Sequence, residues 1–328
     1  MSLKEFTDQT MLSALKNADS ILLCTHVSPD GDAIGSMLCM GRALSKLGKA
    51  VAMACQDCVP GRYAFLPGVG QIVTPDQLKG RAFDLAFALD AGDQKRIGDC
   101  AEAFFSAPLT MQIDHHGTNP EYAALNYVDF SAGATGCIVL RVLHALEAPV
   151  DLDMAVCLYA AISSDTGNFC FRNTDAEVFH AMAELMEAGL DIAPLARRLN
   201  LIREEKHVRL LGRALQTLYR FADGRATGMC LTRADYEAVG ALPEHNEKIV
   251  NYGIDLEGVM ITYLADEREE GITKVSLRAQ PPCDVGAIAA RLGGGGHALA
   301  SGCTLNMHLI EACETIEKAV KEQLEGIG

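Results

Sequence analysis

Four short apolar runs in the first half of this chain each stop at an aspartate or a histidine. Ile21–Thr25 leads into His26-Val-Ser-Pro-Asp30-Gly-Asp32. Leu85–Leu89 leads into Asp90. Leu109–Ile113 leads into Asp114-His115-His116. Ala160–Ser163 leads into Ser164-Asp165-Thr-Gly167. Apolar runs of four or five residues read as buried strands, and a fifth, Val51–Ala54, lacks the polar stop. Between them Ala33–Leu47 places Ile34, Met37, Leu38, Leu44 and Leu47 at helical spacing, and Gly48 follows as a stop. Further helical patterns lie near Thr135–Leu146, Met154–Ile162 and Ala176–Ala188. Alternation of this kind predicts an α/β fold with a mostly parallel, doubly wound sheet. Such sheets bind ligands at the carboxyl ends of their strands, which is where the polar stops fall.

The rest of the chain divides by composition. Residues 1–193 form the first expected domain. Residues 194–225 read as a helical basic linker, with Arg197, Arg198, Arg203, Lys206, Arg209, Arg213, Arg220 and Arg225 against only Glu204, Glu205 and Asp223. Its Val208, Leu211, Leu215 and Leu218 give an apolar helical stripe. The segment is either a solvated connecting helix or a basic wall facing an anionic substrate. Residues 226–328 read as a smaller α/β domain, with strands at Thr227–Thr232, Val259–Leu264 and Thr273–Ala279 and helices at Val285–Leu292 and Ile310–Glu325.

The 328 residues carry 28 Lys and Arg against 43 Asp and Glu, a formal charge of −15. That balance argues against coating long nucleic acid or duplex, and leaves room for a small phosphorylated substrate. The N-terminus lacks the layout of a secretory signal, and no apolar stretch reaches the length of a membrane span. A cytoplasmic protein is expected. Its 12 cysteines are scattered and read as small buried hydrophobes; Cys55 and Cys58 form a lone CxxC without the second pair a zinc site needs.

Asp30, Asp32, Asp90, Asp114 and Asp165 gathered at one sheet edge would repel strongly, and metal cations relieve such repulsion. Mixed carboxylate and imidazole donors suit Mn²⁺ or Mg²⁺ better than a thiolate set would. The donors exceed what one ion requires, so a pair of ions of the phosphoryl-transfer type is expected.

At this point the motifs carry a resemblance. The chain resembles the DHH/DHHA1 phosphoesterase family, and most closely its short bacterial nanoRNase and pAp-phosphatase type. Asp114-His115-His116 matches the name-giving motif, His26–Asp32 the first motif, Asp90-Ala-Gly-Asp-Gln-Lys-Arg96 the second, and Ser164–Phe169 the fourth. Ser276-Leu-Arg278 and Gly293–Gly296 with His297–Gly302 match the DHHA1 signature.

The resemblance implies residue roles. Two Mn²⁺ ions, or Mg²⁺ or another divalent metal, would be held by His26, Asp30 and Asp90 and by Asp32, Asp90, His115 and Asp165, with Asp90 shared. His116 would face the substrate phosphate and the leaving oxygen, and Asp114 would orient an imidazole. Arg278, Gly294, Gly295, Gly296 and His297 would bind substrate. Arg96 would contact phosphate or pair with Asp93 or Asp99. Asn251 would line the site or serve as a turn residue.

The activity implied is hydrolysis of short oligoribonucleotides to mononucleotides, and of pAp to AMP, by a hydroxide activated between two metals. The partners implied are short oligonucleotides and small phosphorylated nucleotides, and a homodimer stays open. Two alternatives remain at this stage: a phosphodiesterase for linear or cyclic dinucleotide messengers, and a non-catalytic nucleotide-binding regulator.

Overall fold

The computed structural model describes residues 4–327. The apolar runs become β1 (Ser20–Cys24), β2 (Ala50–Ala54), β4 (Leu85–Leu89) and β5 (Thr110–Asp114). The short β3 (Ile72–Val73) and β6 (Leu125–Val128) complete a six-stranded sheet. Its order is β3-β2-β1-β4-β5-β6 and every pairing is parallel. The order reverses between β1 and β4, so the crevice of this sheet opens beyond the ends of those two strands. β1 and β4 are all but entirely buried, as expected of strands covered on both faces. β6 escapes the sequence pattern because it is a half-buried edge strand, Leu-Asn-Tyr-Val, with no apolar run to announce it.

One face of the sheet is covered by helices Gly31–Lys46, Thr135–Ala145 and Leu152–Asp165, which pack with Leu23, Phe87 and Ile113. The other face is closed by the short helix Ala101–Ser106 and by Leu78, Phe83 and Ile97. The fourth polar stop is corrected here: Ala160–Ser163 is not a strand but the last turn of helix Leu152–Asp165. That helix is buried almost all round, so its sequence reads as a continuous apolar run rather than a stripe. It crosses helix Gly31–Lys46 at very close range. A Cβ on Gly35 would lie 2.3 Å from the Cys157 carbonyl oxygen, so only glycine permits this approach.

The chain forms two compact units that divide between Ile202 and Arg203. Residues 194–225, expected as a linker, are shared between them. A π-helical turn, Arg197–Leu201, belongs to the first. Helix Glu205–Gln216 belongs to the second, where Leu210 and Ala214 are buried against Met229 and Leu231.

The second unit holds another six-stranded sheet, ordered β11-β12-β10-β9-β8-β7, with β7 (Tyr219–Phe221), β8 (Ala226–Thr232), β9 (Ile261–Glu269), β10 (Ile272–Ala279), β11 (Gly295–His297) and β12 (Ala300–Leu305). It is antiparallel except for β8 with β9. Helices Val285–Arg291 and Leu309–Glu325 pack on one face. Among the described residues, no helix is long and apolar enough to cross a membrane.

Candidate active site

The first-domain residues converge where the sheet order reverses. Beyond β1, Asp30 caps helix Gly31–Lys46 by accepting from the Asp32 and Ala33 N–H groups at 3.0 and 3.1 Å. Asp32, in that helix's first turn, is fully buried. It accepts from the Thr135 N–H at 2.6 Å, the Gly136 N–H at 2.9 Å and the Ser36 hydroxyl at 2.9 Å. It thereby caps helix Thr135–Ala145, whose own N-cap, Ala134, has no side chain to do so. Beyond β4, Asp90 sits at φ +58°, a conformation non-glycine residues seldom adopt, and accepts from the Thr135 hydroxyl at 2.9 Å. Asp165 ends helix Leu152–Asp165.

Two histidines divide these acids. His26 Nε2 lies 3.6 Å from Asp90 Oδ2 and 3.8 Å from Asp30 Oδ1. His115 Nε2 lies 3.6 Å from Asp90 Oδ1, 3.8 Å from Asp32 and 2.9 Å from Asp165. The two oxygens of Asp90 therefore face different histidines. His116 stands apart in role: its Nδ1 is 2.7 Å from Asp114 Oδ1, the contact of an orienting pair. Buried Asp114 also accepts from the His115 N–H and from Asn119. Arg96 makes neither of the ion pairs expected for it. Its guanidinium lies 2.9 Å from His26 Nδ1, while Asp93 turns back to accept from the Lys95 N–H.

The second-domain residues lie on the other sheet. Thr262 on β9, Arg278 on β10, Ala300 on β12 and His297 on β11 are opposed in register across four strands. Residues so opposed emerge on one face, and two strand spacings put Arg278 and His297 roughly 10 Å apart. The residue between them in the row is the small Ala300. Burial lowers the pKa of the Arg278 guanidinium, and among the described residues no carboxylate offsets it. His297 is exposed. The glycine run is not a plain loop, because Gly295 and Gly296 belong to β11. A Cβ on Gly294 would meet the Gly302 carbonyl at 2.2 Å, and one on Gly296 would meet Ser301 Cα at 2.6 Å. Packing of this hairpin thus accounts for two of the glycines, whereas Gly295 has open space above it. Asn251 begins a short helix, and its Oδ1 is buried without a hydrogen-bond partner.

Comparison with known proteins agrees with this arrangement. The N-terminal domain of the DHH family matches residues 20–162, and the DHHA1 domain matches residues 237–326. The chain is 36% identical over 311 residues to the bifunctional oligoribonuclease and PAP phosphatase NrnA of Thermus thermophilus, covering 94% of this chain and 91% of that one. The chain belongs to the DHH/DHHA1 phosphoesterase family. A probable NrnA from Streptococcus mutans is 25% identical over 97% of this chain and 99% of its own. An exopolyphosphatase-related protein from Bacteroides fragilis shares the fold, with a TM-score of 0.91 at 24% identity over 97% of this chain and 98% of that one.

The electrostatics of the DHH site follow from burial and from the pairing of its acids with two histidines. Burial works against protonation of His26, but Asp30 and Asp90 outweigh it and push its pKa up to about 10. His115 is pushed up to about 10 against the same burial by Asp165, Asp32 and Asp90. Burial raises the Asp32 and Asp90 carboxyls, with neighbouring acids adding to it. Asp30 is held down to about 2 despite burial, chiefly by His26. Asp114 raises His116.

The residues fit divalent cations. His115 Nε2 is buried among three carboxylates, Asp165 nearest at 2.9 Å but out of line for a well-formed hydrogen bond, and its Nδ1 lies 3.4 Å from the Ala132 carbonyl. In the neutral ring, donation from Nδ1 would leave the Nε2 lone pair among these carboxylates, where a metal ion would take the place of the proton. Three groups of donors lie within 4.8 Å of one another: His26, Asp30 and Asp90; Asp32, His115 and Asp165; and Asp90, His115 and His116. The contact of His116 Nδ1 with Asp114 makes the third the weakest donor set.

Reading the sequence alone misses several supporting residues: Thr135, Asn119, Ser36 and Asn173. The Asn173 amide donates to the Asp165 and Gly133 carbonyls at 3.0 and 2.8 Å. Only Thr135 carried a signal, as the first polar residue of a helix lacking a capping side chain.

Proposed function

We propose that this DHH/DHHA1 phosphoesterase hydrolyses short oligoribonucleotides to mononucleotides and pAp to AMP, using two divalent cations, with Mn²⁺ the first choice. The observation that carries the reading is Asp90, whose two carboxylate oxygens each face a different histidine-containing donor set. His26, Asp30 and Asp90 would hold one ion; Asp32, Asp90, His115 and Asp165 would hold the other. When bound, such ions activate water and neutralise charge developing at phosphorus.

The chain's own residues supply the rest. Asp114 fixes the proton of His116 on Nδ1 and so leaves Nε2 as the nitrogen for the substrate; in the protonated imidazolium Nε2 would deliver a proton to the leaving oxygen. Arg278 offers an uncompensated cation to a nucleotide phosphate, and His297, in the same register row, offers a second contact to phosphate or base. The Gly295 backbone has room for close approach of the same ligand. The likeness to the NrnA relatives over nearly the full chain supports the choice of substrate.

The test is a product time course on 5′-labelled RNA from 2-mer to 20-mer, and on pAp, with Mn²⁺. Dimers and trimers should be consumed far faster than 20-mers, with AMP formed from pAp. Equal rates on 2-mer and 20-mer would instead indicate an exonuclease for long single strands.

A further inference from the structure

Among the described residues Arg141 is the largest side chain with no solvent exposure, and the proposed reaction does not use it. All three of its guanidinium nitrogens donate to carboxylates. Nε and Nη2 donate to the two oxygens of Glu177 at 2.6 and 2.7 Å, and Nη1 donates to Asp129 Oδ2 at 2.7 Å. Lys4 adds a half-exposed second cation, 3.3 Å from Asp129 and 3.7 Å from Glu177, so the cluster is balanced two against two.

What makes this cluster more than a fold anchor is the segment it grips. Asp129 begins a tight turn: its Oδ1 accepts from the Ser131 N–H at 3.0 Å, its carbonyl accepts from the Ala132 N–H at 2.9 Å, and its own N–H donates to the Asp114 carbonyl at 3.0 Å. The next residues make four contacts to three of the candidate metal ligands. The Ala132 carbonyl faces His115 Nδ1. The Thr135 N–H and the Gly136 N–H both donate to Asp32, and the Thr135 hydroxyl donates to Asp90. Arg141 lies on the helix that Thr135 begins and reaches back to Asp129, closing a loop through residues 129–141. A lysine could neutralise one carboxylate but could not span Glu177 and Asp129 at once.

We propose that Arg141, through Asp129, is a positioning residue for the candidate metal centre: it fixes the 129–136 segment that orients His115, Asp32 and Asp90. The inference rests on the reading of those residues as metal ligands. Its two carboxylate partners have separable duties. Glu177 secures Arg141 to helix Ala176–Glu187, whereas Asp129 transmits the clamp to the ligands.

The experiment measures Mn²⁺ binding to metal-free protein by calorimetry, beside thermal unfolding of the same samples. Asp129→Asn keeps the bidentate Arg141–Glu177 pair and should weaken Mn²⁺ binding by about tenfold or more, the usual effect of losing a partner that orients a ligand. Glu177→Gln keeps the Arg141–Asp129 contact and should lower the unfolding temperature while leaving Mn²⁺ affinity within about twofold. Arg141→Lys should resemble Asp129→Asn in binding. If Asp129→Asn binds Mn²⁺ like the wild type, or if affinity falls in step with stability in both carboxylate variants, Arg141 only anchors the fold. A wild-type protein that binds no Mn²⁺ would refute the metal-centre reading itself, a separate outcome.

Discussion

Replacing Asp114 with asparagine tests the division of labour between the two adjacent histidines. Asp114 is fully buried and accepts from His116 Nδ1 at 2.7 Å, from the His115 N–H at 2.9 Å and from Asn119. Asparagine keeps the shape but removes the charge, and its amide places a donor against another donor, either Asn119 or His116. A hydrogen bond to a charged group is worth about 1.5–3 kcal/mol, against about 0.5–1.5 for a neutral one, so roughly 1–2 kcal/mol of His116 orientation is lost. That corresponds to about a five- to thirtyfold drop in kcat.

The pH dependence carries a sign. The Asp114 carboxylate is the main cause raising His116, and burial opposes it. Without the carboxylate the His116 pKa falls, so a reaction needing protonated His116 loses its alkaline limb at lower pH. The loss should be larger for a dinucleotide, whose leaving alkoxide needs a proton, than for bis-p-nitrophenyl phosphate, whose leaving phenolate does not. Mn²⁺ stoichiometry should be unchanged. If Asp114→Asn instead loses metal, and both substrates slow equally with no shift of the alkaline limb, Asp114 is a ligand or a structural residue and the orienting role is wrong.

Asp90→Ala should cost more Mn²⁺ than loss of Asp30 or Asp165, with activity down by several orders of magnitude; a titration still showing two sites would contradict the shared carboxylate. In metal-free protein, His26 and His115, raised from 6.5 to about 10, contribute stability that is complete below pH 6.5 and lost as pH rises toward 10. The unfolding temperature should therefore fall from pH 6.5 to 9, and saturating Mn²⁺, which needs deprotonated ligands, should reverse that slope; a flat metal-free profile would count against the buried proton sharing. Arg278→Ala and His297→Ala should each lose about ten- to a hundredfold in kcat/KM on nucleotides while sparing bis-p-nitrophenyl phosphate and Mn²⁺ binding, and equal loss on both substrates would make the segment structural.

Much of this protein is legible along the chain because its signals are local. A five-residue apolar run stopped by a charge marks the end of a buried strand, and β1, β4 and β5 end within a residue of where the runs ending at Thr25, Leu89 and Ile113 suggest. The candidate donors His26, Asp30, Asp32, Asp90 and His115 stand at or just beyond such stops and Asp165 at the end of a buried helix, and all of them come together. Elements with weak local signals are missed: β6 is half-buried, and β12, Ala-Ser-Gly-Cys-Thr-Leu, is built largely of small residues.

The sequence by itself determined the types of donor, the parallel sheet that gathers them and the order of the motifs. Tertiary structure alone decided which of these donors meet. Asp32 and Asp165 are 133 positions apart, and they meet because Gly35 lets two helices cross almost in backbone contact. Only the fold aims the two oxygens of Asp90 at different histidines, turns His116 to Asp114 and His115 to the acids, and sends Arg96 to His26 rather than to Asp93 or Asp99. Periodicity fixes which way a side chain points from its own element. Distances between elements depend on packing, and packing is set by side-chain volume at contacts that no local pattern records.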